Sequence, residues 1–474
     1  MATKRDQLQS HQFLVQRMVS ALVTRESDPE QPSFKRPSTA AFGSLALAVL
    51  ALVAVGVYGL VVPGGSKAWA KGEVVVVEKE TGTRYVYVDQ RLYPVTNYVS
   101  ALLALGKKAE TKRVSQRSLV GVPRGPQIGI RDAPDALPAK NRLLSGAWTL
   151  CSEPTLDLSG ARTSESVLMV GQQPAGGRQL TDEAMLVEVI ETGDQYLLRR
   201  GYRHRILKAD RRVVRPALGS EPWAKVGEAF VAGLPDGQPI APIKVAGLGK
   251  PSTAVAGRPR TLTGQLFSIK PSGGDVQYYL AEQKQLRPIS ALQYNIQLAY
   301  QPMVAAYGGK APYGIELSPL LAGQVAPPPV DLEPGQAPAS RPEFVAPRDG
   351  LGTICATFAP GDKTPSLSVD PSMPARDPAI TTARRGPAGT RLADRILVPP
   401  GSAAVIEAMP SDRAPAGTLS LITDLGRSYP MADPKVLEVL GYAGVQPVKI
   451  PSGLVARIPQ GSGLDPAAAI RQAV

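Results

Sequence analysis

"GTRYVYVDQRLYPVTNYVSALLALG" runs from Gly82 to Gly106. Its first half alternates apolar and polar side chains with the period of a half-buried strand. The part after Pro94 has the spacing of a short helix. The fold turns on whether this stretch recurs, because so small a unit exposes apolar faces that only packing on a neighbour can cover.

It recurs three times. The pattern is an apolar strand, a glycine turn, a second strand, a tight polar turn and a third strand that often ends in Pro. The copies are "VVVVEKETGTRYVYVDQRLYPV", "LVEVIETGDQYLLRRGYRHRIL" from Leu186, "QLFSIKPSGGDVQYYLAEQKQLRPI" from Gln265 and "AVIEAMPSDRAPAGTLSLITDLGRSYPM" from Ala404. The turn glycines Gly82, Gly193, Gly274 and Gly417 precede the polar turns at Asp89, Arg199, Glu282 and Asp424 by six to eight residues. Each copy closes 34 to 37 residues after its polar turn, at Pro123, Pro235, Pro319 and Pro459, with the loosest match in the third. A short helix is expected in between, at "NYVSALLALG", "ALQYNIQLA" and "DPKVLEVLGY", the last with Asp433 as N-cap and Pro434 as first helical residue. No helix is evident in the second copy. Tyr85, Tyr87, Tyr93 and Tyr429 read as packing residues of alternating strands.

No charge occurs from Pro37 to Ser66, and Ala41 to Val62 is an apolar run of 22 residues. At 1.5 Å per residue it spans about 33 Å, enough for the hydrocarbon core of a bilayer. A cleaved signal peptide is the rival, since "AWA" at Ala68–Ala70 resembles a cleavage site. The run is too long for an h-region and lies too far from the start, which favours an uncleaved anchor. Lys35 and Arg36 abut it, with Lys4, Arg5, Arg17 and Arg25 further back. Lys67 and Lys71 lie on the other side. The balance places the N-terminus in the cytoplasm.

The N-terminal tail carries "DQLQSHQFLVQRMVSALV" (Asp6 to Val23), read as a helix with Ser10 as the cap of its later part. Phe13, Leu14, Met18 and Leu22 form its apolar stripe. Two readings stand: a helix resting on the inner membrane surface, or a docking helix for a partner.

The segments between copies hold both cysteines, Cys151 in "WTLCS" and Cys355 in "TICATF", each in an apolar strand-like run. Were they to pair, they would tie together a central region built from distant segments. "QVAPPPVDLEPGQAPASRPEF" (Gln324 to Phe344) and "VDPSMPARDPAITTARRGPAGTR" (Val369 to Arg391) are Pro-rich and read as exposed loops.

Motifs that carry chemistry are missing. Two Cys and two His, His11 and His204, all but exclude a Cys/His zinc site. No GxSxG and no GxxxxGK[ST] occurs, and the pair Asp182–Glu183 has no acid–base context. No catalytic residue, cofactor or metal is expected. The net charge of +13 suits acidic lipid, an anionic wall polymer or an acidic partner. Nucleic acid is ranked out, because aromatic residues do not interleave with the basic ones. The densest basic run, Arg199 to Arg215, is read first as a solvated face on a strand pair, and second as a face that meets lipid head groups, an acidic partner or a wall polymer.

Several of these segments together resemble the EccB family, the single-span membrane component of type VII (ESX) secretion systems in actinobacteria. The likeness rests on "QSHQFLVQRMVSALVTRES" before one membrane span, "LYPVTNYVSALLALG", "GPQIGI", and the "WTLC" and "CATF" pair, in this order. The resemblance implies a disulfide between Cys151 and Cys355, four repeat domains around a central core, and assembly with EccC, EccD and EccE, with the mycosin protease as an associated partner. It implies an oligomeric place within that complex and a structural role, assembling or gating the channel outside the cytoplasm. Some members bear an ATPase label that no motif here supports.

The expectation is a mainly β chain with short helices (α+β), in which one N-terminal transmembrane helix precedes an elongated extracytoplasmic domain of four repeats around a disulfide-linked core. Its parts are a cytoplasmic tail (1–36), a membrane helix (40–63), repeats at 72–128, 186–240, 264–323 and 404–464, core segments at 129–185, 241–263 and 324–403, and a tail (465–474). The other classes weighed are a membrane-anchored cell-wall-binding protein and a membrane-bound ATPase or hydrolase.

Overall fold

A computed structural model describes residues 3–25, 35–61, 67–157, 159–271, 273–318, 321, 333, 335–347, 350, 352–377, 379–411 and 413–473. The chain forms two compact units, residues 1–93 with 110–125, and residues 94–109 with 126–474.

In the first unit, a helix spans Lys4–Thr24. It starts earlier than the sequence suggests, at a capping box: Thr3 and Asp6 each satisfy the other's backbone N–H. Ser10 therefore lies inside the helix and caps nothing. A second helix, Lys35–Val61, contains a 21-residue stretch, Thr39–Gly59, long and apolar enough to cross a membrane, with every side chain exposed. The sheet follows: Val75–Glu78, Arg84–Val88 and Arg91–Val95 form an antiparallel meander, and Thr111–Val114 adds beside Val75–Glu78 in parallel. Its core is Trp69, Val76, Tyr85, Leu92, Val114 and Leu119.

The second unit repeats this sheet three times with the same strand order. Each is a three-stranded meander whose first strand takes a parallel fourth partner: Ala224–Val226, Gly314–Leu317 or Val448–Pro451. That fourth strand went unread in the sequence because it is only three or four residues long. The crossover before it carries a helix in every copy: Tyr98–Leu105, Arg211–Leu218, Ala291–Ala299 and Lys435–Val439. The first is set by Asn97, whose side chain accepts from Ser100 N, and ends on Gly106 in the left-handed region. The second decides a point the sequence leaves unclear and corrects one reading. A helix exists in that copy, and it occupies the end of the basic run, so only Gln195–Arg199 and Tyr202–Ile206 form the strand pair. Lys435–Val439 begins one residue after Pro434, so Pro434 rather than Asp433 takes the cap position, and the Asp433 side chain accepts from Lys435 N at 2.7 Å in the turn before it.

The closing prolines have a shared geometry. Leu92 N donates to Pro123 O, Arg203 N to Pro235 O, and Ser428 N to Pro459 O, and the glycine two residues on returns a bond in each case. Pro319 lies outside the described residues.

A six-stranded sheet takes its strands from both sides of the repeats: Trp148–Leu156, Arg162–Met169 and Arg178–Leu180, then Ile354–Phe358, Ser366–Val369 and Arg395–Leu397. Trp148, Leu150, Ala356 and Phe358 from this sheet share one core with Val187 and Phe230 of the second copy and Ile406 and Ile450 of the fourth. The second and third copies meet through their helices, Val214 and Leu218 packing with Leu292 and Ile296. Helix Tyr98–Leu105 packs against Lys435–Val439 and against Pro466–Ala469. The last is part of the segment read as a tail, and it is docked: Ala469 is buried and Ala473 N donates to Gln127 O at 2.9 Å. The architecture is mainly β with short helices, an α+β fold.

Candidate functional site

The polar groups that could do chemistry are engaged in structure. His204 is 2% exposed, with Nδ1 2.9 Å from the Gln238 carbonyl. Burial pushes its pKa below the ordinary 6.5, so the ring stays neutral and donates through Nδ1. His11 lies exposed on the first helix. Asp182 accepts from Arg200 and Arg199, both at 2.7 Å, which hold its carboxyl below the usual range. Glu183 accepts from Thr181 N at 2.9 Å and pairs with Arg178, which hold its pKa at about 2. Both stay ionised, so neither is a general acid near neutral pH. Among the described residues, no group of three or more His, Cys, Asp or Glu could hold a metal ion.

Most of the basic run is engaged in internal ties. Arg203 forks onto Asp236 at 2.7 and 3.1 Å and reaches Val231 O, Arg205 and Lys208 lie near Asp194, Arg211 donates to Gly193 O, and Arg215 stacks on Trp223. Exposed pairs contribute about 0–1 kcal/mol each, so these ties set geometry more than stability. Most described residues of the Pro-rich segment 369–391 are exposed, as read, but Val369, Pro371 and Arg391 are buried, Val369 as the end of a core strand, and its arginines strap the segment down: Arg376 to Glu165, Arg385 to Glu228 and Arg391 to Glu191.

Three features remain as candidate functional elements. Cys151 and Cys355 stand directly opposite each other on neighbouring antiparallel strands and are joined by a disulfide across 204 residues of sequence. Both are fully buried. The first helix leaves Phe13, Leu14, Met18 and Leu22 uncovered, each more than half exposed. Leu14, Met18 and Leu22 are four residues apart and so share one face. Finally, Trp69 is 1% exposed and its indole N–H donates to Ser118 Oγ at 2.9 Å. Cleavage after Ala70 would strip this side chain from the first sheet's core, which argues for a retained membrane anchor.

The chain matches the family model described as type VII secretion system ESX-1, transport TM domain B, over residues 1–473. It is 28% identical over 422 residues to the ESX-2 secretion system ATPase EccB2 of Mycobacterium tuberculosis, covering 85% of this chain and 80% of that protein. It is 23% identical to the ESX-3 secretion system ATPase EccB3 of the same organism, covering 98% and 89%. Among solved structures, a chain of an intact ESX-5 inner membrane complex shares the fold with a TM-score of 0.59 at 21% identity, covering 100% of this chain and 96% of that one. The EccB3 dimer from an ESX-3 core complex does so at 0.59 and 22%, covering 84% and 100%. A family model that runs the length of the chain, with a membrane helix, repeated sheets and a disulfide-bridged centre in one order, places this protein in the type VII secretion EccB family.

Proposed function

We propose that this protein is a structural subunit of a type VII secretion membrane complex, helping to assemble or gate the export path outside the cytoplasm. One observation carries the reading: a single membrane-length helix ending at Val61 leads into the first of four like sheets, whose first strand starts at Val75, and the second and fourth of these are locked onto a disulfide-bridged centre. That is the build of a tethered scaffold. The N-terminal tail lies in the cytoplasm, in keeping with Lys35 and Arg36 at the start of the span. Disulfide formation in the large domain suits the oxidising exterior. The parts follow the boundaries set out above, from the tail at 1–36 to the last repeat at 404–464. Within the complex the chain is oligomeric and meets EccC, EccD and EccE, with a mycosin protease alongside; the uncovered stripe at Phe13, Leu14, Met18 and Leu22 is the inner docking face. The relatives' names contain the word ATPase, but this sequence has no phosphate-binding loop.

A native gel of detergent-solubilised membranes, probed for this chain, tests the reading. The chain should migrate in a large complex that is lost, together with export, when its gene is deleted and restored by the parent. Migration as a free subunit with undisturbed export would refute it. A reporter active only outside the cell, fused after Val474, should work.

A further inference from the structure

We propose that the first sheet carries a site for the headgroup of an anionic phospholipid, centred on Lys67 and Arg91. The site rests on the membrane anchoring read above, but not on which end of the helix faces the cytoplasm.

Covalent reach sets the location. Five residues separate Val61, the last residue of the membrane helix, from Lys67. Fully extended, that connection covers about 20 Å. Two residues later the chain is pinned, because Trp69 is buried in the sheet's core and meets Tyr87 edge-on at 5.3 Å. The chain that leads into the sheet is therefore within reach of the headgroup layer, and Lys67 is its first described residue, eight positions before the first strand at Val75.

The chemistry at that point is distinctive. Lys67, Arg91 and Gln90 border a concavity of about 460 Å³ whose walls include Trp69 and Tyr87. Asp89 is the one acid lining it, on a turn in the left-handed region. Among the described residues neither Lys67 nor Arg91 is tied into an ion pair. The fourth copy supplies an internal control. Its Arg427 holds the place of Arg91, one residue before the bond to the closing proline, and lies 3.5 Å from Asp132. The control extends to net charge. Residues 67–128 carry eleven Lys and Arg against five Asp and Glu, whereas residues 404–464 carry five of each. The same strand order is thus built without a charge excess, so folding does not require the excess in the first copy. Its position beside the membrane gives it a partner, since cations act on lipid charge only within a Debye length of about 8–10 Å.

The test uses the full chain purified in detergent, mixed with phosphatidylglycerol or phosphatidylcholine and examined by native mass spectrometry for retained lipid. Phosphatidylglycerol should be retained at least fivefold over phosphatidylcholine. Lys67→Ser with Arg91→Ser should bring retention down to the phosphatidylcholine level with an unchanged melting temperature. Lys67→Arg with Arg91→Lys should keep it, as should Lys112→Ser with Arg113→Ser on the opposite edge strand. Equal retention of the two lipids, or equal loss in the Lys112/Arg113 variant, overturns the site. Displacement of the lipid by millimolar inorganic phosphate overturns it too, in favour of a free-anion site. Carbonate washing of membranes is the separate check on anchoring: release of the chain there defeats the anchor, while retention without lipid preference defeats only the headgroup site.

Discussion

Gly461 lies beneath the ring of Tyr429, where a Cβ would stand well inside van der Waals contact with the ring carbons. The relationship repeats as Gly125 beneath Tyr93 and Gly237 beneath His204. In each case the glycine follows the closing proline by two residues, and the ring belongs to the third strand. The glycine is required by close approach rather than by backbone conformation, since none of the three has a positive φ.

Gly461→Ala should therefore destabilise by about 1–3 kcal/mol, because Tyr429 is 2% exposed and its ring has nowhere to go. Gly273→Ala, with open space around it, should change stability by no more than about 0.5 kcal/mol. Thermal melts of the full chain in detergent compare the two.

The disulfide joins facing strands and closes 204 residues of sequence. In the chain-entropy picture such a cross-link is worth about 5 kcal/mol. Cys355→Ala should lower the melting temperature without changing membrane insertion. The native bond, being buried, should resist reductant until the protein is unfolded. Rapid reduction under native conditions, or free thiols in non-reducing mass mapping, would count against it.

His204 sets a pH dependence with a definite sign. Its folded pKa is depressed by burial, so the unfolded chain binds the proton more readily. Its contribution is fully present above about 6.5 and is lost as pH falls from there through the lower folded value. Unfolding midpoints measured between pH 7.5 and 5 should fall for the parent. They should fall less for His204→Phe, which keeps a ring over Gly237 but cannot titrate.

Purified full chain should show no ATP hydrolysis, since the sequence contains no phosphate cradle. Activity that follows the chain through two orthogonal columns and disappears on a point substitution in it would reverse this.

Phe13→Asp with Met18→Asp should leave the chain membrane-inserted and its sheets folded, because both side chains are exposed and belong to none of the sheet cores. The double change should release the chain from EccC and EccD and stop export. Unchanged co-purification would make the helix a membrane-surface rest.

Strand alternation, turn glycines, the membrane helix and the closing prolines were legible because each is written within a few neighbouring residues. Of the four turn glycines, Gly82 and Gly193 sit at positive φ, where glycine is favoured, whereas Gly274 and Gly417 do not. Four like units, and hence the fold class, followed from the sequence by itself. The short fourth strands were not legible, because a run such as "AKV" becomes a strand only when Val187–Val189 stands beside it to accept the pairing. The helix at Arg211–Leu218 was hidden by its charge, and what buries Val214 and Leu218 is a cluster that joins Leu186, Leu197 and Ile206 of its own copy to Leu292 and Ile296 of the third, some 80 residues away. The same holds for the partners of the arginines and for the glycine under each ring. Short-range periodicity determines which elements form. Only the tertiary structure decides which of them meet, because burial and pairing depend on neighbours that chain order does not specify.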